Sequence, residues 1–143
     1  MINILKSCLA GRYAFKQVTR NENLSFTGTS IFEPISDEKT RHTKIGRYML
    51  NGQEQEFFQV RYFIFLPGRM IMEKYEESLL HEFIIPHSHP NLPLTLHHTH
   101  YCNDDIYSIV LKILSLDEFQ TEYTIKGPRK NEIIQSFYNR IHQ

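Results

Sequence analysis

The chain has no tryptophan, only two cysteines and no surplus of charge, with Lys+Arg and Asp+Glu each numbering 16. Each absence closes off a class of function. Cys8 and Cys102 stand far apart in 143 residues, so they make no disulfide framework, and a reducing compartment is the simpler reading. A formal net charge of zero offers no basic excess for nucleic acid and no basic tail for a membrane surface. Hydrophobic runs are short. None approaches a membrane span, and the apolar stretch before Cys8 is interrupted by Lys6 and too short for a secretory leader. These features predict one cytoplasmic domain over residues 1–143, with no nucleic-acid or membrane partner and an open oligomeric state. Missing too are a Gly-rich phosphate loop, a nucleophile elbow, a metalloprotease helix and any carboxylate spacing of a catalytic pair.

What is present is aromatic and alternating. Ten Phe and eight Tyr suit pleated, half-buried surfaces. From Glu118 to Lys126, Phe119, Thr121, Tyr123 and Ile125 share one face while charged and polar residues take the other. Asp105, Tyr107, Ile109, Leu111 and Ile113 form a second such face; Leu24, Phe26, Gly28, Ser30 and Phe32 a third; Gly11, Tyr13 and Phe15 a fourth. Further strands are predicted at about 40–50, 54–65, 69–76, 78–85, 94–102 and 129–138, with a short helix around 3–9. Asn51-Gly52 signals a type I′ hairpin, Pro67-Gly68 another turn, and the proline-rich segment 86–93 a loop. About ten short strands joined by short turns force antiparallel neighbours, and a sheet of that size closes on itself to remove its edges. The expected fold is all-β, a single antiparallel up-and-down barrel; a β-sandwich is the alternative.

Among residues able to carry chemistry, His98, His100 and Cys102 fall on one side of a strand, with His87 and His89 nearby in sequence. Imidazole and thiolate are zinc ligands, yet no tight ligand pair from a second element accompanies them, and no metal is predicted. His100 lies across the Asn103-Asp104 turn from Asp105. A His–Asp pair there would satisfy two polar groups, or would orient a general base, so these two are the catalytic candidates. Tyr107 continues the Asp105 face inward, and Tyr13, Tyr123 and Tyr138 join it. Arg61, flanked by apolar residues on both faces, is a candidate inward charge that must be paired if buried. Apolar walls with a few placed polar groups are the composition of a ligand pocket.

These residues also carry a resemblance. Leu9-Ala10-Gly11-Arg12-Tyr13-Ala14-Phe15, the strand Phe26 to Pro34, Arg61-Tyr62, Leu80-His81, His100-x-Cys102-x-x-Asp105-x-Tyr107 and Gly127-Pro128-Arg129-Lys130-Asn131 followed by Ser136 and Tyr138 resemble an uncharacterised family, domain of unknown function 6314, over about residues 9–140. The chain departs from the family pattern at Lys44, where a carboxylate is common, at Asn131 in place of Asp, and at Tyr13 in place of Trp. The family is similar to the calycins, the lipocalin-like barrels, and that similarity implies a Gly-x-aromatic first strand packed on a basic residue of the last. Gly11-Arg12-Tyr13 would then meet Arg129 or Lys130 by a cation–π contact.

The function expected is the binding of a small hydrophobic or amphipathic molecule inside the barrel. Arg61, His81, His100, Cys102, Asp105, Tyr107, Tyr123 and Lys130 are the candidate ligand contacts, and the cofactor is unknown. Two other readings compete with it. One is an enzyme using His100 and Asp105 as a general-base pair, with His81, Tyr107, Arg61 or Lys130 as electrophilic partners. The other is an interaction domain whose barrel is filled with side chains.

Overall fold

A computed structural model describes residues 2–75, 78–86 and 91–142. A short helix, α1 (Ile2–Cys8), leads into ten strands: β1 (Gly11–Thr19), β2 (Leu24–Pro34), β3 (Lys39–Leu50), β4 (Gln53–Leu66), β5 (Arg69–Tyr75), β6 (Ser78–Ile84), β7 (Leu94–Cys102), β8 (Asp105–Ser115), β9 (Glu118–Lys126) and β10 (Asn131–Arg140). All pairings are antiparallel, in the order β6-β5-β4-β3-β2-β1-β10-β9-β8-β7. Successive strands are paired neighbours except β6 and β7, and β10 returns to pair with β1. The result is a nearly closed up-and-down barrel made of one sheet, which excludes the sandwich. Its seam lies between β6 and β7, which touch, among the described residues, without a backbone ladder.

The predicted turn chemistry is in place. Asn51 and Gly52 have φ of 50° and 77°, the paired positive angles of a type I′ turn, and Gly68 follows Pro67 with φ of 73°. Within the segment 86–93, residues 87–90, and with them His87 and His89, lie outside the described residues; Pro86 and Asn91 to Pro93 are in neither helix nor strand.

Period-two alternation decides what the barrel encloses. Tyr13, Phe15, Gln17 and Thr19 of β1 are all buried, as are Ile109, Leu111 and Ile113 of β8 and Phe119 of β9, while the residues between them are more exposed. Two glycines let the wall bend. Gly28 faces Gly46 across β2 and β3; a Cβ on Gly28 would sit 2.0 Å from the Ile45 carbonyl oxygen, and one on Gly46 would sit 2.4 Å from that of Thr27.

The end of the barrel that carries α1 is packed shut. Leu5, Cys8 and Leu9 are 0–1% exposed and belong to one core cluster with Tyr13, Phe83 and Ile113. Tyr13 closes this end with Arg140, whose guanidinium lies 4.7 Å from the Tyr13 ring centroid. The expected aromatic–basic closure therefore exists, but its partner is Arg140 and not Arg129 or Lys130. The reason is register. β10 starts at Asn131, two residues later than predicted, because Gly127 N–H donates to the Lys130 carbonyl at 2.8 Å and holds 127–130 as a turn. Antiparallel pairing then sets Tyr13 opposite Arg140 and sends Arg129 and Lys130 to the far end, where both are exposed.

Candidate functional site

Above the packed end the interior is open, with a cavity of about 260 Å³. A single water needs only about 10–15 Å³ on a comparable measure, so this is no packing defect. Leu9 forms part of the floor, and Phe32, Phe63, Ile109, Leu111 and Phe119 form apolar walls. Onto these walls β3 and β4 project a polar row. Their register sets His42 opposite Arg61 and Lys44 opposite Gln59, all four facing inward; Lys74 reaches the same space from β5 while staying exposed. Tyr107 and Tyr123 line the facing wall, and Gln17 and Ser136 lie between. None of the described lining residues is a carboxylate.

Lys44 is 4% exposed. Its Nζ donates to Gln17 Oε1 at 2.6 Å, and the same oxygen accepts from Ser136 Oγ at 3.1 Å, so both lone pairs of that oxygen are used. Three rings surround the ammonium, with centroids at 4.7 Å (Phe15), 5.1 Å (Tyr138) and 5.7 Å (Phe57). His42 is stacked on Phe32 and its Nε2 is 3.1 Å from Ser30 Oγ. Burial, and after it the charges of Lys44 and Arg61, hold this imidazole well below its ordinary pKa, so it is neutral.

A second group of polar residues spans the seam. His81, from β6, is fully buried. Its Nδ1 is 2.9 Å from Nδ1 of His98 on β7, and its Nε2 is hydrogen-bonded to the Tyr123 hydroxyl. One hydrogen bond between two Nδ1 atoms requires opposite roles, one imidazole donating and the other accepting. Burial first, then the neighbouring His98 and His100, lower the His81 pKa to about 3. Burial likewise raises that of Tyr123, which keeps its proton. An irregularity brings His81 here: Met72 pairs with His81 and Glu73 with Leu79, leaving Leu80 as an extra residue that also lines the cavity.

Of the residues predicted from sequence, Arg61, Tyr107 and Tyr123 line the cavity, and His81 joins them through Tyr123. His100, Cys102, Asp105 and Lys130 do not line it. His100 pairs in register with Tyr107, and Cys102 with Asp105. The bridging hydrogen bond between His100 and Asp105 is not formed; Asp105 instead packs over Gly127, where a Cβ would fall 1.8 Å from its Oδ1. His98 and His100 are half-buried and Cys102 is exposed with a free thiol. Among the described residues no group of three or more His, Cys, Asp or Glu is placed to hold a metal ion. Sequence reasoning missed His42, Lys44, Gln17, Gln59 and Lys74. The available signal was the alternation Thr40, His42, Lys44 on β3, which looks solvent-facing because the intervening residues are polar as well.

No curated protein matches the sequence. Solved structures do match in fold. The S-type phycobiliprotein lyase CPES from Guillardia theta aligns with a TM-score of 0.71 at 8% identity, covering 99% of this chain and 93% of that one. The protein EF1p2_mFAP2b bound to DFHBI aligns at 0.58 and 10% identity, covering 99% and 100%. Identity this low shows the fold alone. A family model matches residues 9–140, and so nearly the whole chain: this protein belongs to the family of unknown function DUF6314.

Proposed function

We propose that this protein binds a small amphipathic molecule inside its barrel. The observation that carries the reading is the open interior: about 260 Å³ enclosed by a mostly apolar wall onto which a few buried polar groups converge. That volume lies just below the usual range of small-molecule sites, roughly 300–1,000 Å³, and the lining has their composition. A filled interaction barrel would leave no such space. One barrel of the same fold is bound to DFHBI, which fits the reading without specifying a ligand. We read the protein as a single cytoplasmic, lipocalin-like domain, in keeping with its free Cys8 and Cys102 thiols. Catalysis by His100 with Asp105 gains no support from the register that separates them.

Native mass spectrometry of the purified protein, followed by a thermal-shift screen against small amphipathic compounds, tests the proposal. Ile109→Trp, which pushes an indole into the cavity, should abolish any mass adduct and any ligand-induced rise in Tm while the circular-dichroism spectrum stays β. Absence of any adduct or shift in the unmodified protein would refute it.

A further inference from the structure

The cavity described above has an electrostatic peculiarity that narrows what enters it. Lys44 is almost wholly buried, and among the described residues no carboxylate lies within ion-pairing distance of it. An ammonium carries three donors, and among the described residues one of these meets an acceptor, the Gln17 side-chain oxygen. The three aromatic faces around it offset part of the desolvation, yet a charge removed from water with no described counter-ion beside it remains costly. Arg61 and Lys74 border the same space. His42, kept neutral by the same charges, supplies nothing negative.

We propose that the barrel is a site for a small organic carboxylate with an apolar body, its carboxylate seated against the Lys44 ammonium and its body against the Ile109, Leu111 and Phe119 wall. This rests on the ligand-binding reading and narrows it. The counter-charge that no described residue places beside Lys44 is then supplied by the ligand, in a site dry enough for the pairing to be strong. A carboxylate suits the site better than a phosphate for a stated reason. Phosphate sites draw on free backbone N–H groups at helix N-termini or in nests. Here every lining residue except Leu9 lies on a strand, and all of these but Lys74 and Leu80 are paired in the sheet register, so the donors left for an anion are mostly side chains. A single negative charge also matches a single buried ammonium.

The test is isothermal titration calorimetry of the full chain with straight-chain carboxylates from butanoate to decanoate, each set against the alcohol, amine and alkyl phosphate of the same length. The expected result is that at least one acid binds and its alcohol binds on the order of tenfold or more weakly, the loss a charge-assisted hydrogen bond brings. Amines should not bind. Lys44→Met should lower the affinity for the acid to that for the alcohol and leave the alcohol unaffected. Should Lys44→Met fail to fold, Lys44→Gln and the comparison of ligands on the unmodified protein decide the matter. Alcohol binding as tightly as acid overturns the carboxylate assignment and leaves the ligand-binding reading intact; so does tighter binding of the alkyl phosphate. No binding of any of these compounds, with some other adduct in the native mass spectrum, overturns the carboxylate alone. No binding and no adduct overturns both.

Discussion

Tyr13 and Arg140 close the barrel as a pair. Their Cα atoms are partners across β1 and β10, the guanidinium stacks on the phenol ring, and one Nη of Arg140 donates to the Tyr13 hydroxyl at 2.8 Å. The same guanidinium donates to the carbonyls of Ser7 at 3.0 Å, Ala10 at 2.5 Å and Leu116 at 2.7 Å. One side chain thus ties the end of α1, the start of β1 and the β8–β9 turn together.

Arg140→Met should therefore destabilise the protein by about 2–3 kcal/mol, since it strips several carbonyls of a charged donor at a partly buried site. Chemical denaturation of both proteins measures this. A double-mutant cycle with Tyr13→Phe should show a coupling of about 0.5–1 kcal/mol. Additivity of the two losses would mean that the Arg140–Tyr13 hydroxyl hydrogen bond adds nothing to the pair.

The histidines at the seam predict a pH dependence of stability. In the unfolded chain a histidine titrates near 6.5, whereas folded His81 titrates at about 3. Above 6.5 both states are neutral and His81 contributes no slope. As pH falls through that value the unfolded state takes up a proton that the folded state refuses, so stability declines between about 6.5 and 3. Over this window the loss is on the order of a few kcal/mol. His81→Gln should flatten the decline. Denaturation midpoints followed from pH 7 downward, with identical slopes for the two proteins, would contradict the assignment.

Tyr123→Phe leaves a buried His81 nitrogen without its hydrogen bond and should cost about 1–3 kcal/mol. The double variant Tyr123→Phe with His81→Met removes both partners of that bond and should recover part of the loss. Thermal unfolding of the four proteins reads this directly, and a double variant weaker than the sum of the single losses would argue against the pairing.

The glycines at 46 and 52 separate in a fourth comparison. Gly46→Ala drives a Cβ into the Thr27 carbonyl and the Phe15 ring, 2.4 and 2.8 Å away, and is expected to cost about 3 kcal/mol or more. Gly52→Ala meets nothing within 4 Å and strains only a positive φ, at about 1 kcal/mol. Equal losses at the two positions would refute the close approach of β2 and β3 as the reason for glycine at 46.

Much of this was legible before any coordinates. Alternation over 118–126 and 105–113 announced strands with one face inward, Asn51-Gly52 announced a hairpin, and these local signals summed to an antiparallel barrel. Such features depend only on side-chain period and backbone φ, which neighbouring residues set. Tyr107 and Tyr123 could be assigned to the interior on the same basis, and Arg61 from the apolar residues that flank it on both faces. Three things depended on how the strands meet in the closed sheet. Register between β1 and β10 exchanged Arg129 and Lys130 for Arg140 as the partner of Tyr13. The β7–β8 hairpin register set His100 opposite Tyr107 and not Asp105, and closure of the sheet brought His81 against His98 across the seam. The burial of Lys44 is the clearest case. A polar strand such as Lys39 to Leu50 has no preferred face of its own, so only closure of the sheet decided that His42 and Lys44 look inward.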